Sequence, residues 1–198
     1  MNRCFFKRIQ LVLLFLFLLS AVAGCGGRTD TPDAIAGFDI PKGSQTSEPE
    51  QSDHESEAVF PGSYAVPGGW VKAEQYSTEN KVFYVEEGHE EDAQPDNISI
   101  EIGTSRYAAE EHEQFRDAIV RQLMVQMQGI DAELTGDGTY TEQGDVVYIF
   151  TISEADVVTK QYYIVGEQQY CLIHLTSYSG SESTESAAQS MVDSFIWN

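Results

Sequence analysis

The chain has 198 residues, and its 32 acidic residues against 11 lysines and arginines give a formal net charge of −21 at pH 7. A surface of this charge repels nucleic acid and anionic lipid head groups, which excludes nucleic acid as a partner. The sequence also has no glycine-rich phosphate loop, no Gly-x-Ser-x-Gly nucleophile motif and no His-Glu-x-x-His zinc motif, so we expect no cofactor and no catalytic residues.

The first 24 residues have the layout of a secretory signal peptide. Three basic residues precede an unbroken apolar run over residues 11–19, and small residues follow. This run is shorter than the roughly 20 residues that a transmembrane helix needs. The sequence Val22-Ala23-Gly24-Cys25 resembles the lipobox of bacterial lipoproteins. We therefore expect cleavage after Gly24 and attachment of lipid, such as palmitate, to the Cys25 sulfur; a plain secretory peptide that happens to end near Cys25 is the alternative.

Loss of the signal peptide would change both the charge and the cysteine content. The mature chain would keep 8 basic and 32 acidic residues, a net charge of −24. Cys4 would leave with the signal peptide and Cys25 would carry lipid, so Cys171 would have no partner for an intramolecular disulfide. We therefore expect the fold to depend on its hydrophobic core, with Cys171 acting as a small buried apolar side chain.

Residues 25–58 are rich in glycine, serine, threonine, proline and acidic residues and contain few apolar side chains. Too little surface can be buried here to offset the entropy lost on ordering the segment. We predict a flexible acidic tether, which would hold one globular domain, residues 59–198, away from the membrane.

Short strands are predicted in the first part of this domain. Residues 60–70 read as a strand closed by a Pro-Gly-Gly turn, and residues 71–76 return as its hairpin partner. A third strand is predicted over residues 81–86. An acidic loop then leads to a fourth strand over residues 97–102, which places three isoleucines on one face.

The apolar period changes after this strand. Phe115, Ile119, Leu123 and Met127 recur at every fourth residue, which predicts a long amphipathic helix ending near Gly129. Such an apolar stripe is typical of a core-facing helix.

Four antiparallel strands and a final helix are predicted in the rest of the chain. The second of these strands has apolar residues on both faces, so both faces of the sheet should be covered. A closing helix that begins near Ser181 and runs to Phe195 offers the second cover. The four strands are predicted over residues 133–140, 146–153, 157–165 and 170–177.

The order of these elements, together with four short motifs, resembles the PsbP-like group, which includes Mog-type proteins and LpqN-like lipoproteins. The motifs are Tyr64-Ala-Val-Pro-Gly-Gly-Trp70, Asn97-Ile-Ser-Ile, Gln169-Tyr-Cys-Leu-Ile-His-Leu175 and Met191-Val-Asp-Ser-Phe195. The resemblance implies an α+β fold in which a single antiparallel β-sheet is sandwiched between the long central helix and the C-terminal helix. It concerns core features, so it transfers no functional residue to this chain.

Two sets of residues are candidate sites. An acidic loop concentrates the hard oxygen ligands that calcium requires, although its spacing matches no EF-hand and solvated acidic loops are common. Four aromatic residues near the first strands could form a contact surface, with burial of Trp70 in the core as the alternative. The possible metal ligands are Glu86, Glu87, Glu90, Glu91, Asp92 and Asp96, and the possible contact residues are Trp70, Tyr76, Tyr84 and Tyr107.

The features above predict a protein held by lipid on the outer face of a bacterial cell membrane. We expect a monomeric, non-catalytic module that binds a protein, a peptide or another envelope component. One alternative is a hydrolase of the cell envelope that uses carboxylates such as Glu101 or Asp145. Another is an envelope protein that responds to calcium.

Overall fold

A computed structural model describes residues 61–198 of the chain. The predicted signal peptide, the lipid-attachment residue Cys25, the cleavage site at Gly24 and the tether lie outside the described residues. Among residues 61–198, no helix combines the length and the apolarity needed to span a membrane.

The described residues form an α+β domain with a large antiparallel sheet and two α-helices. A short 3₁₀ helix, Ala109–Glu111, leads directly into the first α-helix. The strands are β1 (Gly62–Ser63), β2 (Trp70–Lys72), β3 (Lys81–Glu86), β4 (Asn97–Thr104), β5 (Glu133–Tyr140), β6 (Val146–Glu154), β7 (Val157–Gly166), β8 (Gln169–Ser177) and β9 (Ile196–Trp197), and the helices are α1 (His112–Gln126) and α2 (Glu182–Asp193).

Seven strands form one sheet in the order β2-β3-β4-β8-β7-β6-β5. Every neighbouring pair is antiparallel, and β4 pairs with β8 over its whole length from Asn97 opposite Thr176 to Thr104 opposite Gln169. Strands β1 and β9 form a separate two-stranded ribbon that joins the two ends of the domain. The sheet therefore has β2 at one edge and β5 at the other.

The two helices take part in different apolar clusters. Met191 and Phe195, in and just after α2, pack in one cluster with Ile173 of β8, whereas Phe115 of α1 packs in the other with Leu172 of β8. Successive side chains of a strand point to opposite faces. The two apolar clusters therefore include residues from opposite faces of β8.

Local sequence features explain where helix α2 begins and which of its sides is buried. The Ser181 side chain accepts a hydrogen bond from the backbone N–H of Ser183 at 3.1 Å, which satisfies a donor that has no partner within the helix. Gly180, just before it, has a positive φ of 70°. The buried side of the helix includes Ala187, Ala188, Met191 and Val192, as the sequence predicted.

The predicted hairpin over residues 60–70 and 71–76 is wrong. Strand β1 pairs with β9 at the C-terminus, where Gly62 lies opposite Trp197, and β2 is three residues long and pairs with β3. A Cβ atom at Gly62 would overlap the Phe195 ring, so this glycine allows the two ends of the domain to approach closely. The other strand and helix predictions are confirmed to within a few residues at their ends.

Candidate functional site

Asp96, one of the six predicted metal ligands, has a structural role. It precedes β4 and accepts hydrogen bonds from the end of β8, from the segment between β8 and α2 and from α2 itself. Its Oδ1 accepts from the N–H groups of Tyr178 (2.7 Å) and Ser179 (3.0 Å), and its Oδ2 accepts from the hydroxyls of Ser177 (2.9 Å), Ser179 (2.7 Å) and Thr184 (2.9 Å). Partial burial acts to raise the pKa of this carboxyl, but the hydrogen bonds outweigh burial and lower it.

The rest of the acidic loop does not form a ligand set around Asp96. His89 and Asp92 are exposed and form an ion pair, with 2.7 Å between Nδ1 and Oδ2, and this hydrogen bond raises the pKa of His89. Within residues 61–198, no three His, Cys, Asp or Glu side chains converge as metal ligands would. The calcium site therefore stays a prediction, and the structure does not bring together Glu86, Glu87, Glu90, Glu91, Asp92 and Asp96.

The predicted aromatic contact surface needs correction. Trp70, Tyr84 and Tyr107 are only 7–8% exposed, whereas Tyr76 is 52% exposed. Trp70 and Tyr84 lie in the cluster with α2 and Tyr107 in the cluster with α1, so the four residues form no common surface. The polar ends of the buried tyrosines have partners, such as the 2.9 Å hydrogen bond between the hydroxyls of Tyr84 and Tyr64.

The carboxylates considered for hydrolysis have local partners. Glu101 of β4 forms a salt bridge at 3.1 Å with Lys81 of β3, and both side chains are largely buried. Asp145 accepts a hydrogen bond at 3.1 Å from the Thr141 hydroxyl across the turn between β5 and β6. Both groups thus contribute to contacts between neighbouring segments.

A groove of about 720 Å³ runs along the outer side of α2. Its lining is hydrophilic and includes four carboxylates. The Gln189 side chain donates a hydrogen bond at 2.7 Å to Asp193, and Lys160 forms an ion pair with Glu185. This composition suits a cationic group held in solvent. The lining residues are Glu142, Glu182, Glu185, Ser186, Gln189, Ser190, Asp193 and Ser194.

A second surface feature centres on Tyr148 of β6, beneath the start of α1. Its hydroxyl is 2.7 Å from Nδ1 of His112, and the Arg116 guanidinium lies over its ring at 5.7 Å from the centroid. Burial raises the pKa of Tyr148, the positive charge of Arg116 opposes this shift, and the nearby groups Glu113, Asp117 and Tyr140 add to it. Tyr140 itself is 66% exposed. His112 and Tyr148 are 36 positions apart, so sequence reasoning had no signal for this contact.

Strand β5 lies beside this feature and forms an open edge of the sheet. Within residues 61–198, β5 pairs with β6 and no strand pairs with its outer side. Most of its residues are exposed, including Gly136, Asp137 and Gly138. Sequence reasoning predicted the strand but not its position at the edge.

Two residues of β8 are buried and reactive in principle. Cys171 is fully buried in the apolar core, which confirms the expectation of a small buried apolar side chain, and this burial raises the pKa of its thiol. His174 lies between Ser99 of β4 and Gln161 of β7, and neither ring nitrogen has a hydrogen-bond partner in the described part of the chain. Burial, aided by the charge of Lys81, lowers the pKa of His174 to about 3, so this ring is neutral at pH 7.

Comparisons with known proteins found similar solved structures. No protein-family model and no curated protein sequence matches the chain. The solution structure of cyanobacterial PsbP (CyanoP) from Synechocystis sp. PCC 6803 is similar, with a TM-score of 0.44 and 15% identity over 70% of this chain and 87% of that chain. A crystal structure from Bacteroides thetaiotaomicron VPI-5482 has a TM-score of 0.38 and 12% identity over 70% of this chain and 45% of that chain. At these scores, neither neighbour assigns this chain a function.

Proposed function

We propose that this chain is a bacterial lipoprotein held by Cys25 on the extracytoplasmic face of the cell membrane. Its domain, residues 59–198, would be a PsbP-like α/β/α sandwich that binds a protein, a peptide or another envelope component without catalysing a reaction. The support for anchoring is the order of basic, apolar and small residues before Cys25. The support for the sandwich is the order of the elements and the core motifs that resemble that group.

The observation that carries the binding function is the exposure of large apolar side chains on α1 and β5. Met124 and Val125 of α1 are 62% and 51% exposed, and Tyr140 of β5 is 66% exposed. Helix α1 and strand β5 belong to the same apolar cluster, so these residues lie on elements that pack together. Aromatic residues and methionine are enriched in protein interfaces.

Capture from intact cells tests the binding function. The full chain, anchored through Cys25, would be cross-linked and recovered from the membrane fraction. We expect a specific partner that is lost from the Tyr140→Ser variant and kept by the Tyr76→Ser variant, because Tyr76 is also an exposed tyrosine but follows β2 at the opposite edge. Recovery of no specific partner, together with cleavage of a wall fragment by the purified protein, would contradict a non-catalytic module.

The carboxylate groove along α2 favours two second candidates, a carboxylate-dependent hydrolase and a calcium-responsive envelope protein. Four carboxylates line one concave surface and could attract a cation from solvent or act on a bound substrate, although among residues 61–198 no three of them converge as metal ligands would. Melting temperatures with and without calcium separate the calcium-responsive protein from the binding module. A calcium-dependent rise in melting temperature that is lost in a Glu185→Gln, Asp193→Asn variant would support the calcium-responsive protein. A melting temperature that does not change with calcium would contradict it.

A further inference from the structure

We infer that the open edge of β5 binds an extended basic segment of a partner protein as an additional antiparallel strand of the sheet. This inference rests on the proposed binding function and names the surface and the class of partner. Strand addition uses backbone hydrogen bonds for affinity and side-chain contacts for selectivity. Four features of β5 support it: its length, its glycines, its exposed apolar end and its charge.

The two edges of the sheet differ in length. Strand β2 at one edge has three residues, whereas β5 at the other edge has eight, Glu133–Tyr140. Short edge strands are a common protection against pairing with another chain. In β5, half of the backbone N–H and C=O groups point away from β6, and within residues 61–198 no other strand meets them. This edge is therefore long enough to bind a strand of typical length. The Gly138 N–H donates a hydrogen bond at 2.7 Å to Oδ1 of Asp137, so an incoming strand would compete with this bond.

Two glycines in the middle of β5 have no evident structural need. Neither Gly136 nor Gly138 has a positive φ. A Cβ atom at Gly136 would lie 3.6 Å from Phe150, and one at Gly138 would lie 3.5 Å from the Val147 carbonyl oxygen, which are ordinary contact distances. Glycine weakens a strand interior, and such glycines often mark a place where another chain approaches closely. These positions leave room for large side chains of an incoming strand.

The exposed apolar residue at the end of β5 extends this surface. Gly136, Gly138 and Tyr140 alternate along the strand and share one face, the face on which Gly138 lies opposite Tyr148 of β6. Tyr140 is 66% exposed. A side chain of the incoming strand on this face would cover a glycine and contact the tyrosine ring, a favourable pairing of aromatic and β-branched residues across strands.

The negative charge of β5 and of the domain favours a basic segment over a second copy of this chain as the partner of β5. Glu133 and Asp137 share the other face of β5, and residues 61–198 contain 24 acidic and 6 basic residues, a net charge of −18. Two copies paired about Asp137 would place two carboxylates directly opposite each other, which is destabilising. Lysine or arginine at alternate positions of the partner would instead lie opposite these carboxylates.

Binding of synthetic peptides tests this inference. It is measured on the described domain and, in parallel, on the full chain with its tether and lipid anchor. The probe is an eight-residue peptide of alternating lysine and valine. Its controls are the same peptide with N-methyl groups on alternate residues, and a peptide of alternating glutamate and valine. We expect the first peptide to bind, and N-methylation to weaken binding by about tenfold or more because backbone hydrogen bonds are lost.

A matched pair of variants locates the site. Asp137→Lys should weaken peptide binding by about tenfold, because it replaces an attractive charge with a repulsive one. Glu79→Lys makes the same change in charge in the exposed connection between β2 and β3, at the opposite edge, and should leave binding almost unchanged. Both positions are exposed, so both variants should keep the circular dichroism spectrum of the parent.

The outcomes separate this inference from the proposed function. Equal binding of the N-methylated peptide, or equal loss in both variants, would show that charge alone attracts the peptide and would overturn strand addition. If a partner is captured from cells equally well by the parent and by Asp137→Lys, the binding function stands and the site on β5 is wrong. If no partner is captured and no peptide binds, both proposals fail.

Discussion

The Thr184 hydroxyl of α2 donates a hydrogen bond of 2.9 Å to Oδ2 of Asp96, which lies 88 positions earlier and just before β4. Asp96 accepts four further hydrogen bonds, one from Ser177 at the end of β8 and three from the segment between β8 and α2. One carboxylate thus fixes the start of β4, the end of β8 and the first turn of α2 relative to each other.

Replacement of Asp96 by alanine should destabilise the domain by about 2 to 4 kcal/mol, because hydrogen bonds to a charged group are lost and their donors lose a partner. Asp92→Ala, in the exposed part of the same loop, should change stability by less than about 0.5 kcal/mol. Urea unfolding of both variants measures the difference. An equal effect of the two substitutions would contradict the structural role of Asp96.

The same carboxylate predicts an acid-sensitive contribution to stability. The pKa of Asp96 is lower in the folded state than its ordinary value of 3.8, so its contribution is present above that value and is lost as pH falls through the lowered pKa. Urea midpoints between pH 5 and pH 2 should therefore fall more steeply for the parent than for Asp96→Ala. Parallel curves would show that the Asp96 carboxyl has the same pKa in both states.

Two glycine-to-alanine substitutions should change the stability of the domain in opposite directions. A Cβ atom at Gly103 of β4 would overlap the Tyr170 ring of β8, so Gly103→Ala should destabilise the domain by about 1 to 3 kcal/mol. At Gly136 of β5 the added methyl meets ordinary contacts, and Gly136→Ala should stabilise the domain by about 0.5 to 1 kcal/mol. Thermal unfolding checks both signs, and destabilisation by Gly136→Ala would contradict the open space assigned to that face of β5.

The burial of His174 predicts that the domain also loses stability in a second, higher pH range. Its pKa falls from 6.5 to about 3 on folding, so between these values the unfolded chain binds a proton that the folded chain does not. The free energy of unfolding should therefore decrease progressively as the pH falls below 6.5, until the pKa of the folded state is reached. His174→Phe should remove this loss between pH 6.5 and pH 4.

An exposed histidine provides the control for this measurement. His89 has a raised pKa because of its hydrogen bond to Asp92, which is the opposite direction to His174. His89→Ala should therefore keep the loss of stability at low pH that the parent shows. If His174→Phe and the parent have the same pH dependence, the neutral buried state of His174 is wrong.

Core packing of α2 is tested by a pair of methionines. Met191 is fully buried in the cluster with β4 and β8, so Met191→Ala should destabilise the domain by about 2 to 5 kcal/mol. Met124 of α1 is 62% exposed, and Met124→Ala should change stability by less than about 0.5 kcal/mol. Similar effects of the two substitutions would contradict the assignment of α2 to the core.

The sequence predicted those elements whose pattern is local. Alternation along residues such as Val146 and Tyr148 indicated the strands of the meander, and the four-residue spacing from Phe115 indicated α1. The pairing of Gly62 with Trp197 could not be predicted, because strands of two residues have no period and their partner lies at the other end of the domain. Burial of Trp70 was the alternative given from the sequence, and the structure bears it out, whereas the burial of Tyr84 and Tyr107 depends on which elements cover them.

The sequence predicted less of the candidate functional surfaces than of the fold. The acidic loop was conspicuous in the sequence, yet Asp96 serves the contact with α2. The contact between His112 and Tyr148 and the position of β5 at the edge follow from the order of strands in the sheet, which no local pattern encodes. The unpartnered ring of His174 depends on its neighbours in β4 and β7 for the same reason.

The central claim is that a lipid anchors the binding domain to a membrane. The mass of the mature N-terminal peptide tests this claim most directly. The chain would be expressed with its first 24 residues in a bacterium and recovered from the membrane fraction. We predict a peptide that begins at Cys25 and carries two or more acyl chains, and a Cys25→Ser variant without this modification. An unmodified cysteine at position 25, with the protein free in the medium, would contradict the account.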